Sequence, residues 1–406
     1  MSKWRRRMLG EISSSTLGKM LDKEKNRGVY HPYLANYNVR WGEFDLTNIQ
    51  EMKFEDHEHE RYGLEYGDLI ICEGGEPGRC AIWRDNASNM KIQKALHRLR
   101  MNKGFSYDFL YYRMLLASRT GELNKYFIGS TIKHLTGVQL KQVEFDFPSE
   151  SIQYSIASVL RVLDEKIEIN NRINTELEAM AKTLYDYWFV QFDFPDANGK
   201  PYNSSGGKLV YDPILKREIP IDWEVRTLSQ IANITMGQSP AGESYNEDGN
   251  GFLFFQGSTD FRWLFPTPRQ YTTSPARMAK KGDILLSVRA PVGDINIANA
   301  DCCIGRGLAA LNSKSDSEGF LFYVMKYFKQ VFDRRNSEGT TFGSITKNDL
   351  HSLKVVYPQN NILKKYDDIV SEFNKMIFLR SLENRDLIKL RDWLLPMLMN
   401  GQVTVR

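Results

Sequence analysis

The chain predicts an α+β fold built from two homologous mixed modules, each followed by a long coiled-coil helix. Three observations predict it. The sequence repeats once along its length, each copy mixes short β-rich runs with helical stretches, and each copy ends in apolar residues on a seven-residue spacing. In the repeat, Trp4, Leu9 and Ile12 return as Trp223, Leu228 and Ile231, and Val39-Arg40-Trp41 returns as Phe261-Arg262-Trp263. Gly67, Asp68 and Gly78 return as Gly282, Asp283 and Gly293. Gly129-Ser130-Thr131, Leu135-Thr136, Leu140 and Pro148 return as Gly339-Thr340-Thr341, Ile345-Thr346, Leu350 and Pro358. The offset falls from about 220 to about 210 residues, each step marking a loop shortened in the second copy; a period this long means two modules rather than solenoid units.

The first module spans 1–150 and the second 223–360. In the first, Asp68-Leu69-Ile70-Ile71 and Cys80-Ala81-Ile82-Trp83 are strand-like, and Tyr107 to Ala117 is helical, with Ser106 or Asp108 as its cap. Helices occupy 151–190 and 361–400. Ile156, Leu163, Asn170, Leu177 and Leu184 form one seam line, with Val159, Ile173, Met180 and Tyr187 three residues after its members. In the second helix Phe373, Arg380, Leu387 and Leu394 form the equivalent line, and Ile369, Met376, Leu390 and Met397 its companion. Helices of about 57 Å need a partner, and the cheapest is the other copy, antiparallel to it. Midpoints then meet, placing Asn170 close to Arg380 in a polar layer that fixes register. The segment 191–222, dense in Gly, Pro, Asn and Ser, reads as a linker with turns. It sets the modules at opposite ends of the helical pair, with pseudo-two-fold symmetry.

Composition excludes little else. With 42% apolar and 26% charged residues the chain matches an ordinary soluble protein. No apolar run approaches the roughly 20 residues of a membrane helix, and Arg5-Arg6-Arg7 precedes no apolar stretch, so a cytoplasmic location is expected. Cys72, Cys80, Cys302 and Cys303 lack metal or redox spacing and read as buried free thiols. A net charge of +4 neither requires nor excludes nucleic acid.

No phosphate-cradling GxxxxGK[ST] loop occurs, and the chain has no Pro-Pro and so no adenine-methylating Asn/Asp-Pro-Pro-aromatic motif. His57-Glu58-His59 reads as a solvated loop rather than a metal site, Asp164-Glu165-Lys166 as a solvated charge cluster, and Gly249-Asn250-Gly251 as a turn. No catalytic or metal-binding residue is assigned. Two dyad-related modules suit duplex DNA, whose half-sites recur about every 34–36 Å. Because the copies share framework residues and differ in loops, the two half-sites should differ.

The order of FDFPDANGKPYNSSGGK, EIPIDWEVRTL and MGQSPAGE, with the paired YGD/KGD and GST/GTT segments around two long helices, resembles the DNA specificity subunit of type I restriction-modification systems. The resemblance covers essentially the whole chain. It implies target-recognition domains at 1–150 and 223–360, separated by the helices, each reading half of an asymmetric bipartite site. It implies that the helices dock two methyltransferase subunits, which join two restriction subunits. S-adenosylmethionine, ATP and Mg2+ are then used by those partners, and this chain binds no cofactor. The first module departs from the family's Gly-x-Ser/Thr-Pro opening, offering Ser13-Ser14-Ser15-Thr16-Leu17-Gly18 where the second has Gly237-Gln238-Ser239-Pro240.

Base reading needs polar side chains on loops or helix starts. The candidates are Asn36, Tyr37, Asn38, Arg40, Lys91, Gln93, Lys94, Lys133 and His134 in the first module. In the second they are Gln238, Ser239, Thr259, Arg262, Arg289, Arg306, Ser344 and Lys347. Arg40 and Arg262 recur in both copies, which suits a framework or phosphate role. The alternatives are a stand-alone nuclease or methyltransferase, which lacks its motifs, and a coiled-coil adaptor that never touches DNA.

Overall fold

The computed structural model describes residues 4–22, 26–337 and 344–405, the side chains of 331–337 excepted; Gly339-Thr340-Thr341 lie outside the described residues. The chain forms two compact units, Met1–Glu168 with Asn384–Arg406, and Ile169–Glu383.

In unit one, Arg5–Met8 pairs antiparallel with Glu144–Phe147. A four-stranded sheet runs in the order Ser13–Leu17, Leu96–Met101, Leu69–Cys72, Cys80–Ile82. A second sheet sets Val29–Leu34 between Gln50–Phe54 and Lys91–Ile92, the latter pair parallel. The run Leu69-Ile70-Ile71-Cys72 is apolar throughout because both faces are covered. Leu69 and Ile71 join the core around helix Tyr107–Arg119, while Ile70 and Cys72 join the core around Trp83. Ser106 caps that helix, its Oγ accepting from Phe109 N at 3.2 Å, whereas Asp108 pairs with Arg84.

Unit two repeats the ladders. Glu224 faces Tyr357 as Arg5 faces Phe147, Ala232 faces Ser313 as Ser13 faces Met101, and Ile284 faces Ile297 as Leu69 faces Ile82. The parallel pair recurs as Phe252–Phe255 with Cys302–Ile304. All four cysteines are free and buried.

The helices run from Glu150 to Tyr185, continuing as a π-helical turn Asp186–Val190, and from Asn360 to Met399. In unit one Ile156 and Leu160 share a core with Leu395, Leu398 and Met399. In unit two Asn170 Nδ2 donates to Glu383 Oε2 at 2.8 Å, and Tyr366 Oη donates to the Ala181 carbonyl at 3.2 Å. One residue number rises as its partner's falls, so this pair is antiparallel.

The line through Ile156, Leu163, Asn170, Leu177 and Leu184 is buried or half-buried, as is the line through Phe373, Arg380, Leu387 and Leu394. The companion lines hold in part: Val159, Ile173 and Met397 are half-buried, whereas Met180, Tyr187, Ile369, Met376 and Leu390 are exposed. Their place is taken four residues on, by Leu160, Ile167, Asn174, Ala181 and Trp188, and by Val370, Ile377, Asn384, Arg391 and Leu398. Heptad steps alternate between three and four, and the seam takes the four-residue step after this line. In the polar layer Asn170 bonds to Glu383, one turn from Arg380, whose guanidinium donates to the Met376 carbonyl at 3.3 Å.

The linker-like segment 191–222 is folded into unit two. Phe194 stacks between Tyr202 and Trp223, with ring centroids at 4.7 and 4.8 Å, and Leu209–Asp212 pairs with Arg217–Pro220 as a hairpin. Among the described residues no helix is long and apolar enough to cross a membrane.

Candidate nucleic-acid interface

In each unit the ends of the strands bring five loops together through four backbone hydrogen bonds. In unit one Gly18 N donates to Leu96 O, Gln93 N to Leu34 O, Glu73 N to Ala95 O, and Leu135 N to Glu73 O, all at 2.7–3.0 Å. In unit two Gly237 N donates to Leu308 O, Gly305 N to Phe255 O, Val288 N to Gly307 O, and Ile345 N to Val288 O, each at 2.9 Å. These are the same four bonds at equivalent positions. Main-chain bonding makes the frame independent of the side chains it carries, so the loops can share a shape and differ in chemistry.

In unit one this frame gathers Asn36, Tyr37, Arg40, Gln93, Lys94 and His134. Asn36 donates from Nδ2 to the Gly74 carbonyl at 2.8 Å and accepts from Arg79 Nη2 at 2.9 Å, which fixes it as a loop tie. A Cβ at Gly74 would lie 3.0 Å from His134 Nδ1, so the glycine lets His134 close over the loop. Tyr37, Arg40, Lys94 and Lys133 are exposed. Two candidates point inward. Asn38 is 1% exposed, accepting at Oδ1 from Ala35 N and donating to the Asp45 carbonyl, both at 2.9 Å. Lys91 is 6% exposed on the parallel strand, and burial pushes its ammonium below the usual range.

In unit two Gln238, Thr259, Arg262, Arg289, Arg306, Ser344 and Lys347 are all exposed. Arg289 and Ser344 form an isolated antiparallel bridge that joins two of the loops. Ser239 is half-buried: its Oγ donates to Gln256 Oε1 at 3.1 Å and accepts from Gln256 Nε2 at 3.0 Å and from Arg306 N at 3.4 Å. Gln256 is exposed and was missed from sequence because its counterpart, by the parallel register, is Ala35, so the repeat drew no attention to it.

Two cations in each unit stand at matched places. Arg40 Nη1 donates to the Tyr37 carbonyl at 2.6 Å and Arg262 Nη1 to the Thr259 carbonyl at 3.2 Å, each three residues back, and both side chains are solvent-facing. Lys94 and Arg306 follow Gln93 and Gly305, the residues after the parallel strands. Fixed, exposed cations beside polar loop tips suit phosphate contacts that set register while the tips face base edges.

Glu55, His57 and Glu58 bring ligand-type atoms within 4.8 Å of one another. Glu58 is already engaged by the ammonium of Lys19, whose side chain is 3% exposed, and by Glu55 N at 2.9 Å. A resident cation, Lys19, therefore neutralises this cluster.

A family model described as the type I restriction modification DNA specificity domain matches residues 1–179 and 220–387. The chain is 28% identical to the putative type I restriction enzyme MjaX specificity subunit of Methanocaldococcus jannaschii, over 99% of this chain and 94% of that protein. It is 20% identical to the type I restriction enzyme HindI specificity subunit of Haemophilus influenzae, over 99% of this chain and 100% of the relative. The crystal structure of the type I restriction-modification S subunit from M. genitalium aligns with a TM-score of 0.60 at 19% identity, covering 98% of this chain and 96% of that one, which speaks for the fold. With both modules and most of both helices inside the matched ranges, this protein belongs to the type I restriction-modification DNA specificity family.

Proposed function

We propose that the chain reads an asymmetric, bipartite DNA target, one half with each unit, and directs methylation and restriction by partner subunits. Its role is that of a specificity subunit, not an enzyme, and the adaptor reading without DNA binding has no support among its relatives. The observation that carries the bipartite reading is the loop frame itself: the same four backbone bonds occur in both units, while the tips carry different side chains, such as Gly74 against Arg289. A shared frame with unlike tips would read two different words in one way.

In this reading two methyltransferase subunits dock on the long helices and two restriction subunits join through them, in the cytoplasm where the DNA lies. S-adenosylmethionine, ATP and Mg2+ are used by those partners and none is held by this chain. The test is to assemble the chain with its methyltransferase subunits and map methylated adenines on genomic DNA. The expected result is one split motif with unlike halves. A palindromic motif, or none when the assembled complex is shown to bind S-adenosylmethionine, overturns the reading.

A further inference from the structure

In unit two the strand Lys354–Tyr357 pairs antiparallel with Glu224–Thr227 and has no second neighbour in its sheet. Leu228 N donates to the Leu353 carbonyl at 2.8 Å, and in such a ladder hydrogen-bonded pairs alternate with unbonded ones. Val355 and Tyr357 therefore bond inward to the partner strand, while Lys354 and Val356 turn their N–H and C=O groups away from it. No group among the described residues bonds to those outward N–H and C=O groups. Lys354 and Val356 also line a groove of about 220 Å³, whose other walls include Tyr185, Phe189, Arg217 and Val324. That is less than the roughly 300 Å³ from which drug-sized ligand sites start, and it leaves room for a side chain or two.

An open strand edge beside a small apolar groove suits an extended peptide, main-chain bonds giving affinity and the groove receiving a side chain. Charge narrows the choice of peptide. Arg217 donates from Nη2 to the Val190 carbonyl at 3.1 Å and lies over the Phe192 ring, and Lys354 is exposed. Neither cation is paired with a carboxylate among the described residues, and the hydroxyl of Tyr185, a residue 8% exposed, has no hydrogen-bond partner among them. An acidic residue next to an apolar one complements this surface. Unit one fills the equivalent places itself. Glu144 N, the counterpart of Lys354 N, donates to Tyr126 Oη at 3.1 Å. Arg113 of FLYYRM stands where FLFYVM has Val324, over the Phe145 ring and bonded to Glu122 at 2.6 Å. Tyr185, Phe189 and Val190 end the first long helix, so the groove continues the surface on which a methyltransferase subunit docks in the reading above.

We propose that this edge and groove take up an extended segment of a methyltransferase subunit, which adds a strand beside Lys354–Tyr357, sets an apolar side chain in the groove and brings a carboxylate to Arg217 and Lys354. The proposal rests on the assembly with methyltransferase subunits described above. Amide hydrogen exchange is measured by mass spectrometry on the chain alone and in its complex with those subunits. In the complex, exchange at 354–357 is expected to slow about ten-fold or more, with little change at 144–147. Val356→Pro removes an outward N–H, which an edge strand tolerates, and Arg217→Glu with Lys354→Glu reverses the charge. Each variant is expected to weaken binding of one of the two methyltransferase subunits about ten-fold, while the methylated motif stays the same. The proposal is overturned if 354–357 exchanges as fast in the complex as alone, or if the charge-reversed variant binds both subunits with natural affinity. Protection that appears without the partner and grows with chain concentration also overturns it, by making a second copy of the chain the occupant. Failure of the natural chain to assemble with methyltransferase subunits would overturn the assembly reading, and this proposal with it.

Discussion

Asn170 donates a hydrogen bond to Glu383 across 2.8 Å, and of the two only Asn170 is buried. A buried amide in a helical seam, here one turn from the buried Asn174, favours one register at some cost in stability. Replacing Asn170 with leucine adds apolar burial and leaves Glu383 able to turn to water. The expected outcome is a Tm raised by a few degrees together with more than one assembled species with methyltransferase subunits, seen by native mass spectrometry. A raised Tm with a single species would show that the polar layer sets no register.

Asp164 joins three elements of unit one. It accepts from Tyr112 Oη and from Arg391 Nη1, each at 2.7 Å, and Arg391 and Arg119 both reach Asp392. Burial, and then the neighbouring Asp164 carboxylate, push the Tyr112 phenol well up, so it remains a donor. Asp164→Ala strands the buried Tyr112 hydroxyl and leaves the largely covered Arg391 guanidinium with Asp392 alone. Because Asp164 is itself partly in contact with water, we expect a loss of about 2 kcal/mol in denaturant unfolding. Asp164→Asn, which still accepts, should cost less; equal losses would argue against hydrogen bonding as the cause.

Two carboxyls at the start of helix Glu318–Ser337 give unit two a pH dependence. Burial raises Glu318 to about 7, against backbone bonds from Ser313 and with Asp283, Asp367 and Asp316 adding to the rise. Burial likewise raises Asp367 to about 6, against the N–H groups of Phe320 and Gly319. Their unfolded values lie near 4. The folded state therefore holds more protons between about pH 4 and pH 7, and the associated stability is lost as pH rises through that window. Thermal unfolding of the chain should show a unit-two transition higher at pH 5.5 than at pH 8. Glu318→Gln together with Asp367→Asn should shrink the difference, and an unchanged difference would assign it elsewhere.

Arg40 and Arg262 carry matched, exposed guanidinium groups on the loop frames. If each contacts a phosphate, alanine at either position weakens binding equally for all sequences and reduces the slope of log K against log salt by about 1. Filter binding of the methyltransferase complex to specific and scrambled duplexes at several salt concentrations measures this. A changed methylation motif in either variant would make that arginine a base reader instead.

The repeat and the first seam line were legible because they rest on periodicity, which burial imposes directly on residue type. The companion line was displaced because Met180 and Met376 are apolar yet exposed, while the positions that do turn inward include Asn174, Asn384 and Arg391. The folded character of 191–222 was hidden by its turn residues; Phe192, Phe194 and Ile219, beside Trp223, are the signs that it joins the core of unit two. Among candidate readers, residue type alone does not separate Asn38 from Asn36 or Lys91 from Lys94. Alternation along a strand and hydrogen bonds to main-chain groups decide which faces solvent. Gln256 escaped notice because a comparison of copies finds what they share, and it stands where they differ.

The loop frame in each unit is tied by main-chain atoms, and exposed tips such as Lys94, Arg289 and Arg306 stand outside those ties. A substitution at a tip is therefore nearly free in folding, while its effect falls on the ligand. Such a protein can acquire a new target one base at a time, or one half at a time, with the other half still in use. Selection then acts on what is read without first having to repair what is folded.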